Sequence, residues 1–139
     1  MDGQLGTGSN KNSNLAQRVQ LEEEVHDISC GTNHTLLVTS FGGVYAFGNG
    51  IYGQLGTGNN KNQQRPMKIR LDAEIAMVAA GENHSLFLTS QGIMYGTGDN
   101  TSGQVGIGNG KKYVLEPQRI SNPQNVSIVQ AAKFSACIC

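Results

Sequence analysis

The hexapeptide Gly3-Gln4-Leu5-Gly6-Thr7-Gly8 returns as Gly53-Gln54-Leu55-Gly56-Thr57-Gly58 and again as Gly103-Gln104-Val105-Gly106-Ile107-Gly108, 50 residues apart each time. A second block keeps the same step. Gly31-Thr32-Asn33-His34-Thr35-Leu36-Leu37-Val38-Thr39-Ser40 recurs as Gly81-Glu82-Asn83-His84-Ser85-Leu86-Phe87-Leu88-Thr89-Ser90. A chain with this period folds as an array of supersecondary units, each burying its apolar face only against its neighbours, as in a solenoid or a propeller. Its function must be that of an array.

Because the units repeat, each element can be read twice. Val44-Tyr45-Ala46-Phe47, matched by Met94-Tyr95-Gly96-Thr97, is short, β-rich and bounded by glycines, which predicts a strand. The glycine-rich stretches 50–58 and 100–108 suit tight turns, and the polar tracts 9–14, 59–64 and 109–112 should be exposed loops. Pro66 and Pro117 then open a second extended piece in which Ile69 and Leu71 face one way; Val19 and Leu21 hold the matching places in the first unit. Val25 and Ile28, Ile75 and Val78, and Val126 and Val129 lead into a third strand. In the fourth, His34, Leu36 and Val38 share one face and Thr35, Leu37 and Thr39 the other, with a copy from His84 onward. Apolar side chains on both faces predict cover from both sides, as between stacked sheets.

Four short strands per repeat are those of a β-propeller blade. Glycine, at 19 of 139 residues, is too dense for a helical solenoid. Kelch blades would repeat the pair Gly42-Gly43, which becomes Gly92-Ile93, and the absence of tryptophan argues against the WD-type blade. The expected fold is all-β: a partial β-propeller arc of about three four-stranded blades. Such an arc leaves apolar blade faces uncovered at its ends. This predicts a fragment of a longer propeller, or a chain that closes by self-association through those faces.

Gly42-Gly43-Val44-Tyr45-Ala46-Phe47-Gly48-Asn49, then residues 53–58, Pro66, and Gly81 to Leu86 together resemble the regulator of chromosome condensation repeat family. In that family's phase the single repeat domain 1–139 divides into units of approximately 1–42, 43–92 and 93–139. The first lacks its opening strand, Ala16 replaces the proline, and Phe47 stands where the family usually shows tryptophan. The third unit inserts one residue between Lys111 and Pro117. The resemblance implies a seven-bladed ring. It also implies a possible role as guanine-nucleotide exchange factor for a Ran-type small GTPase, with attachment to chromatin.

No constellation in the chain points to bond chemistry. Residues 6–11 and 56–61 mimic a phosphate loop, yet neither has a lysine directly after the last glycine and ahead of a helix. Gly3, Gln4 and Gly6, with Gly53, Gln54, Gly56, Gly103, Gln104 and Gly106, are read as blade architecture because every unit repeats the turn. His34 and His84, at one repeated position, are read as hydrogen-bond anchors between strands, and single His26 as a surface residue. No catalytic residue, cofactor or metal is expected. Cys30, Cys137 and Cys139 have no zinc spacing and fit a reducing compartment; Cys137 and Cys139 stand where Leu86 and Leu88 stand, as small buried hydrophobes.

Ten Lys plus Arg balance ten Asp plus Glu, which disfavours generic binding to nucleic acid or anionic membranes. No run approaches the ~20 apolar residues of a spanning helix, and Met1-Asp2-Gly3 resembles no secretion signal. The expected location is intracellular, nucleus or cytoplasm, and the Asn-x-Ser/Thr sequons at Asn33, Asn83, Asn100 and Asn125 are chance matches. Lys11, Lys61 and Lys111 are in register, as are Arg18 and Lys68, with Arg119 at the shifted equivalent; these six are the candidate partner-binding rim. Glu22, Glu23, Glu24, Asp72 and Glu74 cluster on a different connection. The expected function is a non-catalytic protein-interaction module, with the exchange-factor role as its alternative.

Overall fold

The computed structural model describes residues 2–108, 110–121, 125–133 and, as backbone, 135–138. Ten strands follow in order: β1 (Val25–Cys30), β2 (His34–Thr39), β3 (Val44–Gly48), β4 (Gln63–Lys68), β5 (Ile75–Ala80), β6 (His84–Thr89), β7 (Met94–Asp99), β8 (Tyr113–Arg119), β9 (Ile128–Ala131) and β10 (Ser135–Ile138). They form two four-stranded antiparallel meanders, β1-β2-β3-β4 and β5-β6-β7-β8, and a β9-β10 pair. The described residues contain no helix. Each four-stranded sheet crosses one of the sequence boundaries drawn near 42/43 and 92/93.

The apolar side chains explain why the sheets stack. Leu36, Val38, Val44 and Ala46 of the first sheet meet Ile75, Val78, Ala80 and Phe87 of the second in one buried cluster. Leu86, Leu88 and Met94, one period on, meet Val126 and Val129 in the next. Leu86 and Phe87, adjacent on β6, thus serve opposite junctions, and all six residues of β2 and of β6 are buried. Removing each Val, Leu, Ile, Phe or Met of these two clusters from water is worth about 1.5–3 kcal/mol. The first sheet shows what an unstacked face looks like: Val25 and Ile28 are 43% and 58% exposed, whereas Ile75 and Val78 at the matching places are 2% and 5% exposed.

The second extended piece differs from its sequence expectation. Pro66 and Pro117 sit inside β4 and β8 rather than opening them, and Ile69 lies just past the end of β4, buried. The register gives the reason. Two steps along β3, from Ala46 to Gly48, face four along β4, from Met67 to Gln63, and β7 and β8 repeat the mismatch between Gly96 and Gly98. This bulge on an outermost strand needs no ladder donor from the proline. In the first unit, Val19 and Leu21 lie in a stretch with no strand.

Candidate functional site: the blade junctions and the two loop ends

The glycine-rich hexapeptide is the strap between sheets. The loop from β3 to β4 leaves the first sheet and lies on the outer strands of the second. There Thr97 Oγ1 lies within hydrogen-bond distance of the carbonyls of Gly53 (2.9 Å) and Val114 (2.5 Å), which share its one proton, and the Gly58 N–H donates to the Leu115 carbonyl (2.9 Å). The first hexapeptide lies on the first sheet in the same way: the Gly8 N–H donates to the Gln64 carbonyl (2.8 Å), and Gly6 packs on the Phe47 ring. Phe47 thus fills the place that Thr97 fills one period later.

Beside each strap a buried hydroxyl closes the junction. Thr35 Oγ1 donates to the Gln4 carbonyl (3.0 Å) and Ser85 Oγ to the Gln54 carbonyl (2.7 Å). His34 Nε2 lies 2.9 Å from Ser85 Oγ. Since the hydroxyl proton is already given to Gln54, the imidazole must be the donor, which fixes the Nε2–H tautomer. This polarity is the reverse of a serine–histidine nucleophile pair, where the imidazole accepts the proton, and Ser85 is 0% exposed. Burial, with a smaller contribution from His84, pushes the His34 imidazole down to about 4, so it is neutral at physiological pH. His84 is also lowered by burial, against the opposing pull of Asp99 and Glu82.

The spacing Gly-x-x-His has a steric cause. A Cβ on Gly31 would collide with the His34 ring and with the Gly81 carbonyl oxygen; one on Gly81 would collide with the His84 ring and the Ala132 carbonyl oxygen. The innermost strands are tied as well, with Asp27 Oδ2 accepting from the Val78 N–H (3.1 Å) and Ser29 Oγ from the Ala80 N–H (2.9 Å). Met77 and Ala79, one period later, pack apolar residues instead.

The candidate rim cations divide between the two ends of the sheets. Lys11, Lys61 and Lys111 follow the straps and are exposed. Lys68 and Arg119 stand at the far ends of β4 and β8, paired with Tyr45 and Tyr95 in the ladder, and β4 alone separates the two ends by about 16 Å. Arg18 lies in the strandless stretch and lines a shallow cavity with Glu22, Glu23 and Tyr45. At that same end Tyr45 Oη donates to Glu23 Oε1 (2.6 Å), with Lys68 Nζ 3.3 Å from the same oxygen and 5.5 Å from the Tyr45 ring centre. The tyrosine hydrogen bond is the largest cause, ahead of Thr39 and Lys68, that holds the Glu23 carboxyl down to about 2. Ala73 takes the place of Glu23 in the next unit, so the second sheet does not repeat the cluster.

Sequence reasoning missed Ser85, Thr35 and Glu23. The first two had a signal, a hydroxyl repeated directly after the histidine; Glu23 had none. Cys30 is exposed at the end of β1. The Cys137 side chain and Cys139 fall outside the described residues. Among the described residues no three His, Cys, Asp or Glu side chains converge as metal ligands.

Stacked four-stranded meanders joined by straps from blade to blade define a β-propeller repeat protein. The family model described as regulator of chromosome condensation (RCC1) repeat matches residues 1–38, 42–88 and 91–133, and a second model of the same description matches 25–54 and 75–104. The chain belongs to this repeat family. Human WBSCR16 is similar at 25% identity and a TM-score of 0.78, over 86% of this chain and 31% of its own. Prp20p from Saccharomyces cerevisiae, described with its binding to Gsp1p and histones, is similar at 20% identity and a TM-score of 0.81, over 97% and 36%. Yeast RCC1 (Prp20) bound to Kap60 is similar at 26% identity and 0.75, over 84% and 30%. The chain spans about a third of the length of the solved structures it matches.

Proposed function

We propose that the chain is a β-propeller repeat module that binds other proteins through its loops and performs no bond chemistry of its own. One observation carries the reading: the loops after the straps carry the exposed Lys11, Lys61 and Lys111, whereas at the other end Arg18, Lys68 and Arg119 stand among Glu22, Glu23, Glu24, Asp72 and Glu74. The buried polar groups at the junction, His34, Thr35 and Ser85, are meanwhile spent on joining sheet to sheet. Exposed lysines repeated along one end of the sheets orient a charged partner and speed encounter even where the molecule as a whole is neutral. The lysine loops suit an acidic partner such as a small GTPase, and the acidic connections suit basic chromatin proteins. The uncovered Val25 and Ile28 face is the proposed surface for a further blade or a second copy. The module acts inside the cell.

Stopped-flow association with Gsp1p tests this. Lys61→Glu with Lys111→Glu should slow association and flatten its salt dependence; unchanged kinetics would remove the reading.

A second reading, exchange factor for a Ran-type small GTPase with chromatin association, is favoured by the likeness to Prp20p. Exchange needs only loops pressed against the GTPase, without acid, base or nucleophile. It predicts faster release of labelled guanine nucleotide from Gsp1p; release at the buffer rate leaves the binding module alone.

A further inference from the structure

The two strap junctions follow one plan but are finished differently on the outside. At the first, Asn62 Nδ2 donates to Asp2 Oδ1 (3.3 Å), with Gln64 beside them on β4. At the second, Gly53 packs on Val114 and Leu115 as Gly3 packs on Gln63 and Gln64, so that Tyr52 stands for Asp2, Tyr113 for Asn62 and Leu115 for Gln64. The Tyr52 and Tyr113 rings lie 5.7 Å apart at 33°. Ile51, Tyr113 and Leu115 are 51%, 48% and 39% exposed.

The fold does not require these apolar residues, since Asp2, Asn62 and Gln64 serve the same backbone geometry one period earlier in place of Tyr52, Tyr113 and Leu115, and Thr101 stands for Ile51 one period later. They are nonetheless held rigidly. Asn49 Oδ1 accepts from the Ile51 N–H (3.1 Å) and from Gln54 Nε2 (3.0 Å), Gln54 Oε1 accepts from the Tyr52 N–H (3.0 Å), and the Gly50 N–H donates to Asn62 Oδ1 (2.9 Å). A preorganised, exposed cluster of tyrosine and aliphatic side chains is the composition of an interface centre.

The surrounding charge selects the occupant. Lys111 and Lys112 lead directly into Tyr113, their carbonyls fixed by Asn100 Nδ2 (2.8 Å) and the Asn100 N–H (2.8 Å). The Lys61 carbonyl packs on Gly50, next to Ile51. All three lysines are exposed, while Asp99, opposite Tyr113 in the ladder, turns its Oδ1 to the Thr101 N–H (2.9 Å). We infer that Ile51, Tyr52, Tyr113 and Leu115, beside the loops that carry the exposed Lys61, Lys111 and Lys112, seat an acidic segment of a partner protein that carries a bulky apolar anchor. This rests on the interaction-module reading and names the chemistry of the partner.

The probe is a fluorescent peptide of aspartate and glutamate around one phenylalanine, read by anisotropy against the intact chain. One counterpart has alanine for the phenylalanine; another has glutamine for the acids. Both counterparts should bind at least about ten-fold more weakly. The variant Ile51→Thr/Tyr113→Asn uses side chains that the chain itself carries at equivalent positions, and should lose a similar factor while melting at the parent temperature. If it melts early, Leu115→Gln carries the same expectation. Absence of binding by the parent chain, equal binding of the three peptides, or undiminished binding by both variants overturns the inference. So does concentration-dependent association, seen by sedimentation and lost in these variants, which would make a second copy the occupant. Slowed Gsp1p association in Lys61→Glu/Lys111→Glu, with no peptide binding at all, would sink this inference and leave the module reading standing.

Discussion

His34 and Ser85, 51 residues apart in sequence, meet at 2.9 Å across the junction of the first two sheets, and the imidazole is the donor. A protonated ring would have to place a second charge-bearing N–H at Nδ1, which is buried and has no partner among the described residues. The folded imidazole therefore titrates at about 4, below its ordinary 6.5, and the native state binds fewer protons than the unfolded chain between those values. Stability should be full above 6.5 and fall as the pH drops toward 4, by about 3 kcal/mol in all. Urea unfolding across this interval measures it, and His34→Gln should flatten that part of the profile. An unchanged slope in the variant would assign the acid sensitivity elsewhere.

Ser85 and Thr35 occupy equivalent places with unequal duties. Ser85→Ala strands both the Gln54 carbonyl and the His34 Nε2–H, whereas Thr35→Ala strands only the Gln4 carbonyl. Ser85→Ala should cost about 2–4 kcal/mol and Thr35→Ala about 1–2 kcal/mol. Equal losses by denaturant unfolding would contradict the two-partner geometry.

The architecture was legible because repetition supplied two readings of each strand, and because glycine and histidine recur at fixed steps. The repeat period revealed that His34 and His84 are structural equals, yet not that His34 reaches Ser85, since the contact crosses between units and depends on how the sheets stack. Pro66 misled the placement of the outer strand. A proline normally marks a strand's edge or start, and the bulge that admits it inside β4 has no local signature. The rim cations were read as one set because they repeat together, and only the meander shows that Lys61 and Lys68 lie at opposite ends of one strand. Tyr52 and Tyr113 were invisible as a pair, being 61 residues apart and without a copy.

The Glu23 cluster yields a titration prediction. Its carboxyl is held down to about 2 first by the Tyr45 hydroxyl, so Tyr45→Phe should raise it toward its ordinary 4.5, followed through the side-chain carboxyl resonance. The stabilisation it gives is present above 4.5 and is lost as the pH falls toward 2, a window below that of His34. A carboxyl that titrates unchanged in Tyr45→Phe would shift the cause to Thr39 and Lys68.

The third copy of the strap offers an internal control for why the motif is glycine. Gly53 and Gly103 have nearly the same backbone, φ of 84° and 75°, so alanine at either costs a similar left-handed strain, about 1–2 kcal/mol. Their surroundings differ. A Cβ on Gly53 would lie 2.7 Å from the Val114 carbonyl oxygen and 3.0 Å from the Leu115 Cα, whereas one on Gly103 meets nothing within 4 Å among the described residues. Those obstacles are backbone atoms of β8, so the strap itself must lift, loosening the Thr97 and Gly58 hydrogen bonds that tie it down. Gly53→Ala should therefore lose about 1–3 kcal/mol beyond Gly103→Ala, the usual cost of overpacking. It should also speed hydrogen exchange at the Gly58 N–H, which Gly103→Ala should leave protected. Equal destabilisation by the two substitutions would mean that glycine is required for its backbone alone and that the close approach of strap to sheet carries no energy.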